Sequence, residues 1–361
     1  MKTLSDYSRH RRHDRNQGLQ MGWAIDDHAN VNFQFSTLNS FSLMQEAGAG
    51  WVRIGFRLGN YYRDWETPGA NGLTALQRYD VVVDSALSAG LKVLGLIGNE
   101  TWPGNQAQWT QNNAEHNETG DGDNVYLLEL SQAACTLIEY FTFRIDTWEI
   151  WNEPNAWTDP PSNGVYSGGS FIYPSNFAQL LHHIYNDAYN PDLGDLTIVS
   201  GGLFGHDIGG QFSTGAEYLA STYNTGIAHA NWNADLNLWG NYPFDAIGYH
   251  LYINQGGPTS ASKIRSYFDA IMNVSMENEN GDMPKPMVVT EVGWTTKSVS
   301  QVVQAANLQT LYETVRDTPY LTNCFWFTVQ DNAGAGKEYG LVDASGNPKS
   351  ALASYQQYAN F

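Results

Sequence analysis

Trp148-Glu149-Ile150-Trp151-Asn152-Glu153-Pro154-Asn155 is an apolar, aromatic run that breaks off in Asn-Glu-Pro. Proline has no backbone N–H with which to extend a sheet ladder, so a buried strand stops there and presents Glu153 at its end. Met287-Val288-Val289-Thr290-Glu291-Val292-Gly293-Trp294 repeats the design, with a single carboxylate, Glu291, ending a β-branched segment. The order of elements around these two strands decides the architecture.

Residues 1 to 20 are polar and charged without periodicity and read as a flexible leader, with the folded part beginning at residue 21. Strands are then expected at Gly22–Ile25, Trp51–Phe56, Leu91–Ile97, the run ending at Glu153, Leu196–Ser200, Phe244–Tyr249, Met287–Glu291 and Cys324–Thr328. Helical spacing of apolar residues follows each: Ser36–Ala47, Thr74–Ala89 stopped by Gly90, Asn124–Tyr140, Pro174–Tyr189, Thr214–Tyr223, Ser260–Glu277, Val299–Arg316 and Lys349–Tyr358. Leu91–Ile97 is almost wholly apolar, as a strand covered on both faces is. Eight strand-then-helix units without a composition break predict an α/β chain with one (β/α)8 TIM barrel over residues 21–361. The long segments 57–73, 99–122, 151–173, 201–213 and 328–347 all follow strands, the face on which such barrels carry their sites.

Composition narrows the partners. A formal net charge of −19 with only 18 Lys+Arg opposes nucleic acid and anionic membrane, whose phosphates need clustered cations. Aromatic residues make up 13% of the chain, including 12 Trp and 21 Tyr, and offer flat faces on which sugar rings stack, although most aromatics are packing residues. Cys135 and Cys324, one in a helix and one in a late strand, read as two buried thiols rather than a disulfide framework. The arginine-rich start is not followed by an apolar run, and no segment has the length of a membrane span. His182 and His183 are adjacent on a helix and cannot face one ion, so no metal is expected.

In a closed barrel the C-terminal ends of strands four and seven converge, which brings Glu153 and Glu291 over one cavity. Opposed carboxylates there point to glycosidic cleavage, by retention if they lie about 5–5.5 Å apart and by inversion at about 6.5–9.5 Å. Asn152-Glu153-Pro154 after strand four, His250-Leu251-Tyr252 after strand six, Glu291 ending strand seven, Arg53 in strand two and Trp326 in strand eight together resemble the clan A glycoside hydrolases, with families 5 and 39 nearest.

That resemblance implies a retaining double displacement, with Glu153 as general acid/base and Glu291 as nucleophile. It further implies that Arg53 keeps Glu291 ionised, Tyr252 orients it, Asn152 reaches the substrate 2-hydroxyl, His250 lines the same subsite and Trp326 is its floor. Family 5 places a histidine shortly after strand three. Here that strand runs into Gly98-Asn99-Glu100-Thr101-Trp102, so Asn99 or Glu100 is expected to take over the polar contact. Trp102, Trp109, Trp157, Trp294 and Asp331 sit in or beside post-strand loops and are subsite candidates, as readily explained by packing. Arg53 reads equally well as a structural ion pair with Glu149, and the rival reading of His250, a satisfied core histidine, is the lesser one.

The expected activity is a retaining β-glycosidase on glucan, mannan or xylan-type chains without a cofactor. Long loops and loop tryptophans favour an endo-β-glucanase of the cellulase type; the alternatives are an exo-acting β-glycosidase, a transglycosylase on the same site, and a carbohydrate-binding barrel without catalysis. Secretion, with the leader not visible in this chain, is the expected location, and the cytoplasm stays open.

Overall fold

The computed structural model describes residues 20–22, 41–57, 65, 67–68, 72–109, 124–157, 159–162, 165–188, 196–207, 214–279, 284–332, 334 and 336–359. Eight parallel strands close into a barrel: β1 (Gln20–Gly22), β2 (Trp51–Phe56), β3 (Lys92–Ile97), β4 (Thr147–Asn152), β5 (Thr197–His206), β6 (Ile247–Tyr252), β7 (Met287–Val292) and β8 (Leu321–Phe327). Each pairs with the next in sequence, and Met21 closes the ring by pairing with both Val52 and Trp326. Among the described residues the helices of eight or more residues outside the barrel are α1 (Ala75–Ser88), α2 (Val125–Tyr140), α3 (Pro174–Ala188), α4 (Ala216–His229), α5 (Trp232–Trp239), α6 (Ala261–Asn278), α7 (Gln301–Arg316) and α8 (Ser350–Ala359). No helix among the described residues is long and apolar enough to cross a membrane.

Local chemistry sets the helix starts. Thr74 and Gln77 form a reciprocal capping box at α1, and the Asn124, Ser260 and Ser300 side chains accept from the orphan N–H groups of α2, α6 and α7. Two cores result. A small one inside the barrel takes one residue from each of five strands, Trp51, Leu94, Val199, Val288 and Phe325, together with Ala246 just before β6. The larger lies between barrel and helices, and Trp148, Ile150, Trp294 and Trp326 belong to it. The inner layer plugs the barrel, so anything above it is held toward the C-terminal strand ends.

Several boundaries differ from expectation. The leader lies almost wholly outside the described residues, as do residues 23–25 of the first expected strand and 36–40 of the first expected helix. β5 runs on to His206 instead of stopping at Ser200, because Gly201, Gly202 and Gly205, which lower strand propensity, stand where neighbours press closest to its backbone. At Gly202 a Cβ would lie 2.2 Å from His250 Nε2, so only glycine lets that imidazole cross the barrel. β6 starts at Ile247, not Phe244, since Phe244 packs outside against Tyr223 and Trp232 while the Asp245 carboxylate accepts from the Ile198 N–H at 2.8 Å. Helix α5 and a hairpin of Asp159–Ser162 with Val165–Ser167 were not anticipated. Cys135 and Cys324 are free thiols, and Cys324 is buried.

Candidate active site

Alternation along a strand sends successive side chains to opposite faces. On β2 it puts Trp51, Arg53 and Gly55 on the inner side, with Arg57 continuing that parity just past the strand end, so Arg53 sits one layer above the plug and Arg57 rises into the cleft. β4 and β7 break the alternation at the two candidate carboxylates. Trp151 and Glu153 have φ of 76° and 50°, which turns Trp151 into the outer core and leaves the consecutive Asn152 and Glu153 both in the cleft. A register shift between β6 and β7 similarly lets Thr290 reach Glu149 inside the barrel while Glu291, next in sequence, lines the cleft.

Arg53 is the hub below. Its Nε donates to Glu149 Oε2 at 2.5 Å, its Nη1 to Glu291 Oε1 and its Nη2 to Asn152 Oδ1 at 3.0 Å. Both the structural pairing and the pairing with Glu291 are therefore made by one guanidinium. Glu149 also accepts from Thr290 Oγ1 at 2.8 Å and is fully buried, so its charge is matched where it lies. Tyr252 donates to Glu291 Oε2 at 2.8 Å, and His250 Nδ1 lies 2.9 Å from Glu153 Oε1 and 3.8 Å from Glu291 Oε2. Burial works to raise the Glu291 pKa, but the charges of His250 and Arg53 and the hydrogen bonds from Tyr252 and Arg53 outweigh it and hold the carboxyl below its ordinary value of 4.5. For His250 burial works downward, and the surrounding Glu291 and Glu153 overcome it and raise the imidazole above 6.5.

One oxygen of Glu153 and one of Glu291 lie within 4.8 Å of each other, with a His250 nitrogen inside the same limit. These three residues are the one group among those described with metal-ligand spacing, but Arg53, Tyr252 and the Glu153–His250 contact already occupy their ligand atoms. A divalent ion would have to share the Glu291 oxygens with a guanidinium and a phenol. The donor set is therefore poorly suited to one.

The cleft above has a volume of about 770 Å3. Of the expected residues, Asn99, Glu100, Asn152, Glu153, Tyr252 and Glu291 line it, and Arg53 and His250 lie directly beneath. Trp326 does not provide the floor. It faces the outer core, fully buried, with its indole N–H on the Tyr339 carbonyl at 3.0 Å, and Phe327 takes the pocket position because Phe325 and Phe327 share the inward parity of β8. Trp294 is likewise buried, donating to the Ile253 carbonyl at 2.9 Å. Trp102 packs against the core and donates to Glu129 Oε2 at 3.0 Å, Trp157 packs against the same core, and Trp109 meets Trp151 edge-on at 5.7 Å. Asp331 is not a subsite residue either: it pairs with Lys349 at 3.0 Å and accepts from the Gly340 N–H at 2.6 Å.

The cleft also holds residues that the sequence did not single out: Arg57, Phe204, His206, Asp207, Gln255, Phe327, Lys337 and Tyr339. Arg57 pairs with Glu100, and the His206 ring stacks on Phe204 at 4.8 Å. Arg57 had a readable signal, since it follows Arg53 at even spacing. Lys337 and Tyr339 lie in the long segment after β8, where only the spatial position of the loop marks them.

No protein-family model matches the sequence, and no curated protein does. Solved structures do resemble it. A family 39 glycoside hydrolase from the gut symbiont Bacteroides cellulosilyticus WH2 superposes with a TM-score of 0.61 at 18% identity, covering 96% of this chain and 64% of that one, so this chain spans less than two thirds of its length. A GH5_18 protein of Streptomyces cattleya, in complex with Manb1-4GlcNAc, gives 0.65 at 13% identity over 95% of this chain and 80% of that one. Xylanase 10B from Thermotoga petrophila RKU-1, in complex with xylobiose, gives 0.56 at 14% identity over 99% and 97%. This chain shares with them the (β/α)8 fold, in line with the resemblance carried by its motifs.

Proposed function

We propose that this chain is a retaining β-glycosidase, in which Glu291 is the nucleophile and Glu153 the acid/base. The observation that carries the reading is the approach of the two carboxylates to within 4.8 Å, which leaves no space between them for the water an inverting enzyme needs. In the first step a Glu291 oxygen bonds to the anomeric carbon as the glycosidic C–O bond breaks and Glu153 gives its proton to the departing oxygen. In the second, water attacks that carbon, Glu153 takes a water proton, and the Glu291 ester bond breaks. Arg53 and Tyr252 each hold one oxygen of Glu291, so the nucleophile is ionised and aimed before substrate arrives. Asn152, fixed by Arg53, is placed beside Glu153 to meet the hydroxyl next to the anomeric centre.

Among the described residues the aromatic wall consists of Phe204, Tyr252, Phe327 and Tyr339, and no tryptophan lines it. This supports a substrate gripped at one or a few sugars, and favours exo action or cleavage of short β-linked oligosaccharides over endo-glucanase action.

The test is Glu291→Ala against aryl β-glucosides, β-mannosides and β-xylosides with added azide. The expected result is loss of hydrolysis, restored by azide as a glycosyl azide of inverted configuration, while wild type releases sugar of retained configuration. Wild-type product of inverted configuration refutes the mechanism. High acceptor concentration separates hydrolysis from transfer by the products formed.

A further inference from the structure

Tyr339 belongs to the segment between β8 and α8, and its ring stands at the cleft edge-on to Phe327 at 5.5 Å and to Tyr252 at 6.1 Å. Its hydroxyl makes no hydrogen bond among the described residues, although the ring is partly buried beside the two carboxylates. Tyr252, its neighbour, has its own hydroxyl committed to Glu291. We propose that the Tyr339 phenol binds the reacting sugar, donating its hydrogen to a hydroxyl of the ring whose anomeric carbon bonds to Glu291, and that Lys349 is the positioning residue that holds it there. This rests on the glycosidase reading of the site.

The placement of the phenol is built, not incidental. Lys349, 3% exposed, spends its ammonium on Asp331 Oδ1 at 3.0 Å and Oδ2 at 3.1 Å, on Thr296 Oγ1 at 3.1 Å and on the Glu338 carbonyl at 3.2 Å. Asp331 in turn fixes the Gly340 N–H, so the residues on either side of Tyr339 are both tied to one buried ion pair. From below, the Trp326 indole holds the Tyr339 carbonyl. Gly293 completes the seat: a Cβ there would lie 2.4 Å from the Phe327 carbonyl and 3.1 Å from the Tyr339 ring, so a side chain would push the loop off the cleft. A backbone locked at three consecutive residues delivers a phenol with one free donor to the place where sugar hydroxyls must sit. Burial raises the pKa of that phenol above 10, and nearby Glu291 and Glu153 add to it, so it is a donor throughout the working pH range.

The experiment compares wild type, Tyr339→Phe, Lys349→Met and the double variant on the best aryl β-glycoside and on its monodeoxy analogues. Tyr339→Phe keeps the ring contacts and removes the donor. It is expected to lower kcat/KM about tenfold on the parent substrate, the size of one neutral hydrogen bond. On the one deoxy analogue that lacks the contacted hydroxyl, it should equal wild type. Lys349→Met should show the same disappearance of its effect on that analogue, which a general loss of folding would not produce, and the double variant should be no worse than Lys349→Met alone. If Tyr339→Phe matches wild type on the parent, or loses the same factor on every analogue, while Glu291→Ala is inactive, this inference is wrong and the glycosidase reading survives. If Glu291→Ala retains full activity, the reading of the site fails first.

Discussion

Replacing Arg53 by methionine tests the electrostatic core of the site. The guanidinium is 1% exposed and spans Glu149, which is 0% exposed, and Glu291, which is 8% exposed. Removing one partner from a buried ion pair costs about 3–5 kcal/mol, because the remaining charge is left without compensation. Here two carboxylates lose their partner at once, so the loss belongs at the upper end of that range. In wild type, burial drives the Glu291 carboxyl up, while His250, Arg53 and Tyr252 together bring it below 4.5. Without Arg53 the downward influences shrink and the carboxyl rises. The acid limb of kcat/KM should therefore move to higher pH, each unit corresponding to about 1.4 kcal/mol. The sign for stability follows from the same depression. A carboxyl with a lowered folded pKa contributes fully above its unfolded value near 4.5 and loses that contribution as pH falls through the folded value. The deficit of Arg53→Met, measured by urea unfolding, should thus be largest at pH 7 and shrink below pH 4.5. A deficit under about 1 kcal/mol at pH 7, with the acid limb unmoved, would mean that water screens the cluster and that the buried-charge argument is wrong.

Gly202→Ala places a Cβ 2.2 Å from His250 Nε2 and 2.8 Å from Glu149 Oε1, so the imidazole must shift and lose its 2.9 Å contact with Glu153. The expected outcome is a loss of about 1–3 kcal/mol in denaturant unfolding and at least about a tenfold fall in kcat, whereas Gly256→Ala, with no atom within 4 Å, should change neither. Lys285 is 4% exposed, bonds Asn241 and lies 3.3 Å from Glu279, just before β7 at the barrel end opposite the cleft. Lys285→Met should therefore cost about 3 kcal/mol in stability with kcat unchanged, and a changed kcat would show coupling through the barrel wall.

The pair Glu153 and Glu291, the ion-pairing capacity of Arg53 and the repeating strand-then-helix order are properties of local sequence. A proline ends β4 beside one carboxylate, branched residues lead to the other, and helix caps such as Thr74 and Gly90 punctuate the rest. Eight such units close because each strand must bury both faces, which no isolated unit can do.

What tertiary structure alone decided is which way side chains point at the strand ends. Strands covered on both faces are apolar throughout, so Trp326 and Phe327 look alike in sequence although one faces the outer core and the other the cleft. The turned backbone at Trp151 and Glu153, and the register shift before Glu291, carry no residue signature that alternation can read, yet they set the 4.8 Å limit between the carboxylates. The same holds for Tyr339 and its Lys349 clamp. Sequence determines which groups exist and on which strands they sit; the distance between two carboxylates, and the identity of the ring beside them, depend on backbone geometry summed around a closed barrel.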